Sequence, residues 1–410
     1  MNVFPWILVS TLVLSACSLR DLKQESELAE NAVRVSGEVS SDHPGIVRVL
    51  LSEARPEGDT LVQFADVGPN GRYTFHALPN VYFVSAFADQ DGDAAYTPGE
   101  PAAVIGRNGQ TADPLELKPG SDTELPRLEI VGPLDSADFL VRAEDLTLAS
   151  RNLGRVADLS EPMFSRDSAD LGMWHPVEFI ATIGGGLMML EPYDPLRMPV
   201  VFVHGLRGTA KEFEAILEAL DRERFQPWVL QYPSGLHLDV IASYLLRSLN
   251  SLHERLGFEQ VMVVSHSMGG LVTRAFALKV AELTPPWSLA FVATVASPLR
   301  GMPSAAAGVK HSPIVVPAWR DLDPDSAFIR DLNAAGWPKN VPWWLVFTYL
   351  PGEDSDGVVA LDHQLGPRLQ DEATAVFGVE ASHVGVLSDR QLLDRLADQM
   401  EKWDDLRKSE

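Results

Sequence analysis

The sequence predicts an α/β protein, a mostly parallel sheet covered by helices on both faces and preceded by a small all-β sandwich. From about Val177 onward, continuously apolar runs such as Val200-Val201-Phe202-Val203 and Val261-Met262-Val263-Val264 alternate with amphipathic segments. Strands read as unbroken apolar runs when helices cover both faces of a parallel sheet. Between Val33 and Val131 the pattern differs. Short runs alternate apolar and polar residues and break at Pro69-Asn70-Gly71 and Leu78-Pro79-Asn80, as in an antiparallel sandwich.

Within 33–131, strands are expected at Val33–Val39, Ile46–Leu50, Arg72–Phe75 and Tyr82–Phe87. The runs Gly71-Arg72-Tyr73-Thr74-Phe75, Leu78-Pro79 and Tyr82-Phe83-Val84-Ser85-Ala86 resemble carboxypeptidase-regulatory or prealbumin-like sandwich modules. Residues 132–176 read as a connector, with Phe139, Leu140, Leu146 and Leu153 to pack on the domain that follows. In 177–410, strands are expected at 200–203, 228–230, 261–264, 289–295, 343–350 and 373–379. Helices are expected at 211–220, 240–256, 269–282 and 389–406.

The chain has 410 residues, 46% of them hydrophobic, enough for a sizeable core in two or three domains. Its 57 acidic against 33 basic residues give a net charge of -24, which excludes nucleic acid as a partner because phosphate binding needs a concentrated positive surface. One cysteine, Cys17, excludes an intrachain disulfide and any multi-thiolate metal site.

Residues 1–19 carry no charged side chain, and an apolar run from Val3 to Leu14 ends in Leu14-Ser15-Ala16-Cys17. The run is interrupted by Pro5, Ser10 and Thr11 and falls short of the ~20 residues a spanning helix needs. Leu-Ser-Ala-Cys resembles the lipobox of bacterial lipoproteins. That resemblance implies a signal peptide at 1–16, acylation of Cys17, a lipidated tether at 17–32 and a membrane as partner. Ser18 in place of Asp favours the outer membrane. The chain departs from the pattern in having no Lys or Arg ahead of the run, so an uncleaved anchor or a buried segment stays open.

Chemistry concentrates in the second half. Ser265-His266-Ser267-Met268-Gly269-Gly270 lies between an expected strand and an expected helix, where a strained turn lifts a serine hydroxyl above the sheet. Together with Pro199-Val200-Val201-Phe202-Val203-His204-Gly205 and Ala296-Ser297-Pro298-Leu299-Arg300-Gly301, this stretch resembles the lipase and esterase branch of the α/β-hydrolases. The resemblance implies Ser267 as nucleophile and Leu206 and Met268 as backbone donors of an oxyanion hole. Asp356 of Asp-Gly-Val-Val is implied as the acid, with Asp354 the second candidate, and His383 of Ala-Ser-His-Val-Gly as the base. Ser265 departs from the usual glycine. His363 is a rival base that follows Asp356 too soon for a strand to intervene, and His204 precedes the serine and is read as orienting its loop.

The segment 302–341 lies where such enzymes insert a lid. Its Pro313, Ile314, Val315, Val316, Trp319, Phe328 and Trp337 fit either an acyl pocket or plain core. In the sandwich, Asp89, Asp91, Asp93 and Glu100 have the spacing of a calcium loop, although Ala94 stands where an EF-hand needs glycine; a solvated acidic turn is the alternative. The expectation is an exported, membrane-anchored ester hydrolase that needs no cofactor for catalysis. A non-catalytic surface lipoprotein, or a thioesterase or amidase, remains open on the same residues.

Overall fold

A computed structural model of the protein describes residues 19–43, 45–53, 60–68, 70–93, 95–106, 113–134 and 152–409. The signal segment, Cys17 and residues 135–151 of the connector lie outside the described residues.

The described N-terminal strands are β1 (Val33–Ser41), β2 (Ile46–Glu53), β3 (Thr60–Val67), β4 (Arg72–Ala77), β5 (Val81–Asp89), β6 (Ala102–Val104), β7 (Leu115–Glu116), β8 (Asp122–Glu124) and β9 (Leu128–Ile130). One sheet joins β4 to β1 antiparallel and adds β8 and β9 beside β1 in parallel. The other runs β3-β2-β5-β6, with β7 also on β5, all antiparallel. The two parallel pairings depart from the antiparallel expectation. Val35 and Phe75 from one sheet and Val47, Val49 and Val84 from the other share a buried cluster. The strict alternation of β1 follows, since only one face of it is covered. β2 is buried on both faces because Leu50, with Phe64 and Phe87, enters a second cluster under Leu153.

The large sheet comprises β10 (Gly186–Met189), β11 (Met198–Val203), β12 (Phe225–Gln231), β13 (Gln260–His266), β14 (Ser288–Val295), β15 (Trp343–Tyr349) and β16 (Ala375–Glu380). Its spatial order is β10-β12-β11-β13-β14-β15-β16, with only the edge strand β10 antiparallel. One face packs on helices Leu238–Leu256 and Met268–Leu283, the other on Glu214–Ala219 and Arg390–Ser409. Apolar residues therefore point both ways from β11 and β13, which is why these strands carry no polar alternation. Among the described residues, no helix is long and apolar enough to cross a membrane.

The N-terminal sheets dock on helix Leu238–Leu256. The Asp66 amide donates to Ser251 Oγ at 3.0 Å, and the Asp66 carboxylate pairs with Arg48 and, across the junction, Arg255. Arg247 donates to the Thr74 carbonyl at 3.0 Å and lies over the Phe75 ring.

The polar stretch expected to be a tether is instead a helix over residues 19–30, docked on the C-terminal α/β part of the chain. Ala29 and Ser26 are buried, and Ser26 donates to the Val315 carbonyl. Glu25 accepts from the Val177 and Glu178 amides, where a carboxylate complements the exposed N–H groups of helix Pro176–Thr182. Glu30 pairs with Arg320 and His237. Charged residues that read as solvated in one dimension are thus spent on partners distant in sequence.

Candidate active site

Ser267 links β13 to helix Met268–Leu283 at φ 53°, ψ -130°, a positive-φ conformation rare for a residue with a Cβ. Its amide donates to the Val295 carbonyl on β14 at 2.9 Å. Two residues on, a Cβ at Gly269 would lie 2.3 Å from the Val203 carbonyl oxygen and 2.5 Å from that of His204, so glycine alone fits where the helix meets the loop after β11. Ser265, in the place of the usual glycine, is accommodated because its hydroxyl donates to the Ala293 carbonyl at 3.1 Å.

His383, after β16, directs Nε2 to Ser267 Oγ at 2.9 Å and Nδ1 to Asp356 Oδ2 at 2.8 Å. The three groups come from the carboxyl ends of β13, β15 and β16, where open α/β sheets place their sites. Asp356 is 1% exposed and fully engaged. Its Oδ1 accepts from the Val358 and Val359 amides, and its Oδ2 from Thr348 Oγ1. Burial raises the Asp356 pKa, but hydrogen bonds from His383, Val359 and Thr348 and the charge of His383 outweigh it, leaving the carboxyl below its ordinary value. Asp354 is exposed, and His363 makes no contact with Ser267 among the described residues. Thr348 and Gln364, which hold Asp356 and each other, carry no motif that would have marked them.

The loop after β11 lies against the serine. A Cβ on Gly205 would come 2.8 Å from Ser267 Cβ. His204 is fully buried, stacks on Tyr232 with ring centroids 4.0 Å apart, and faces the Gly205 carbonyl through Nδ1. Burial lowers its pKa, which favours the neutral ring. Arg207, at φ 56°, donates its amide to Ser234 Oγ and pairs with Asp170. The Leu206 and Met268 amides donate to no partner among the described residues. Two polar residues went unremarked as site members: Glu212, which accepts from the Gly205 amide, and His266, which touches both Glu212 and His383.

Between Met302 and Val341 the chain forms helices Pro303–His311, Pro317–Leu322 and Ala327–Ala335. Val316 and Trp337 are buried, and Trp337 stacks on Trp343 of the sheet, so this apolar bulk builds core. Trp319 and Phe328 pack on the same cluster from its edge. Val358 and Val384, 53% and 63% exposed, flank Asp356 and His383. A cleft of about 510 Å³ lies elsewhere, between the N-terminal sheets and helix Leu238–Leu256. On the loop after β5, Asp89, Asp91 and Asp93 bring carboxylate oxygens within 4.8 Å of one another. Glu100 stands apart from that group and accepts from the Gln90 and Thr97 amides.

Sheet order, elbow and the Ser267-His383-Asp356 arrangement define an α/β-hydrolase fold. In agreement, residues 198–305 match the family model described as alpha/beta hydrolase fold. Similar solved structures include a lipase of Bacillus licheniformis in mature form (16% identity, 51% of this chain and 94% of that one, TM-score 0.41). A thermophilic esterase from Thermogutta terrifontis (17%, 52% and 90%, 0.33) and a monoacylglycerol lipase of Paleococcus ferrophilus (15%, 50% and 93%, 0.35) are also similar. No curated protein matches the sequence.

The crowding at the elbow makes one substitution diagnostic. Gly269→Ala forces a methyl against two backbone carbonyls and is expected to cost about 1–3 kcal/mol of stability. Urea unfolding reads the loss, and an unchanged midpoint would contradict the close approach.

Proposed function

We propose that the protein is a serine hydrolase that cleaves carboxylic esters, favouring lipophilic acyl groups. The observation that supports this reading most is the run of hydrogen bonds from Asp356 through His383 to the Ser267 hydroxyl. His383 Nε2 takes the hydroxyl proton as Ser267 Oγ attacks the carbonyl carbon, and Asp356 fixes the tautomer and stabilises the imidazolium. The Leu206 and Met268 amides are assigned to the developing oxyanion. His383 returns the proton to the leaving alcohol, then deprotonates a water that releases the acid from the acyl-enzyme. The route uses no cofactor. A relay with every donor facing an acceptor favours catalysis over a fold kept for binding. The exposed Val358 and Val384 beside the triad favour an apolar acyl chain.

Ser267→Ala is expected to lower turnover of p-nitrophenyl esters by on the order of 10³-fold or more and to abolish fluorophosphonate labelling, without loss of fold. Asp356→Asn should cost on the order of 10⁴-fold in kcat. Turnover that survives intact in the serine variant would overturn the reading, and rates indifferent to acyl length would remove the lipophilic preference.

Two further assignments sit outside the triad. Asp89, Asp91 and Asp93 are assigned a structural calcium ion, with Glu100 bracing the loop backbone rather than ligating. Calcium titrated into the full chain should release or absorb heat and raise its Tm, and Asp91→Asn should abolish both. A silent titration with no Tm shift returns the loop to a solvated turn. Cys17 is assigned as the acylated first residue of an exported lipoprotein of the outer membrane. Intact-mass spectrometry of the mature protein should find the N-terminus at Cys17 with added lipid mass; a bare Cys17 or another N-terminus refutes the anchor.

A further inference from the structure

The catalytic route leaves two ionisable groups beside the serine without a role, one buried and one partly buried. His266, 3% exposed, directs Nδ1 to Glu212 Oε1 at 3.0 Å and Nε2 to the His383 carbonyl oxygen at 2.9 Å. Both partners are acceptors, and a neutral imidazole has a single N–H. The Gly205 amide donates to the same Glu212 oxygen at 3.1 Å, which favours the carboxylate and leaves the proton on the ring. The His383 peptide is consequently held at both ends: its N–H donates to the Asp356 carbonyl at 3.0 Å, and its C=O accepts from His266.

We propose that Glu212 and His266 are positioning residues, a partly buried carboxylate and a buried imidazolium that lock the oxyanion loop, the nucleophile strand and the histidine loop in one arrangement. The inference rests on the hydrolase reading. His266 reaches from β13 to the loop after β16, and Glu212, in the turn Ala210–Phe213, reaches both His266 and the loop after β11. Each loop is fixed to the next by a charge-assisted bond, stronger than a neutral one. The ionisable groups facing His266 are Glu212, His383, Asp356 and His204. Burial pushes the His266 pKa down, but the Glu212 charge and hydrogen bond, the His383 carbonyl and Asp356 raise it above the ordinary value. A raised pKa in the folded state means that the lock is intact below the ordinary histidine range and is lost as pH rises through the raised value.

The test uses the full chain, its Ser267→Ala variant and Glu212→Gln, which keeps an acceptor for Gly205 but cannot hold a cation. Glu212→Gln should lower kcat about tenfold to a hundredfold with little change in KM, since it misplaces groups rather than removing them. The alkaline decline of kcat in the wild type should vanish in the variant. ¹⁵N-histidine NMR should show two ring N–H groups on His266 in the wild type and one in Glu212→Gln. Should Glu212→Gln fail to fold, His266→Gln keeps a donor for the His383 carbonyl without a charge and should likewise lose the alkaline decline. Wild-type kcat and pH profile in the folded variants, beside an inactive Ser267→Ala, would overturn the lock alone. Full activity in Ser267→Ala would overturn the hydrolase reading, and the His266 N–H count then decides the lock by itself.

Discussion

Ser267 keeps a backbone conformation that costs of order 1–3 kcal/mol for a residue with a side chain, and contacts on both sides hold it there. Its amide is taken by the neighbouring strand at Val295, and the carbonyls of Val203 and His204 close over Gly269. Arg207 at φ 56° and Ala296 at φ 50° also take positive φ in the adjacent loops after β11 and β14. The strain is therefore distributed over one end of the sheet. It is sustained by a core in which β11 and β13 are apolar on both faces, so that neither strand can shift without exposing one of them.

Buried charge is handled in two ways in this molecule. Asp356 and His266 are each surrounded by specific partners that stabilise the ionised form. Arg274, fully buried, instead relies on neutral acceptors, the Leu332 carbonyl and Asn333 Oδ1, and burial pulls its pKa down to about 10. Its role is architectural: it ties helix Ala327–Ala335 to helix Met268–Leu283, which starts at the nucleophile. Arg274 thus differs from the buried Arg48, whose guanidinium is paired with the Asp66 carboxylate.

Much of the large sheet was legible because its strands are apolar runs bounded by amphipathic helices, a pattern that one dimension preserves. β13, β14 and β15 fall within a residue or two of their expected bounds, and Ser267, His383 and Asp356, which the resemblance implied, lie in that order, each within hydrogen-bond reach of the next. Short edge elements were not legible. Gly186-Leu187-Met188-Met189 is only four residues, and β6 to β9 are two or three residues each, too brief for a period to register. Glu212 and His266 were invisible for another reason. Their meaning lies in contacts across 54 and 117 positions, and a single glutamate in an amphipathic segment reads as a solvated face. The segment 19–30 misled in the same way, its charges looking like those of a linker.

That docked helix changes the reach of the protein. A flexible segment from residue 17 to 32 is a leash of roughly 50 Å at about 3.3–3.6 Å per residue, long enough for the body to search a wide hemisphere above an anchor. With the helix beginning at residue 19 and stapled through Glu25, Ser26 and Glu30, the leash ahead of it shrinks to about 7 Å. Were Cys17 acylated as proposed, the folded body would be held close to the bilayer. Any pull on such an anchor would pass to Val177, Glu178, His237, Val315 and Arg320, the partners that hold the helix.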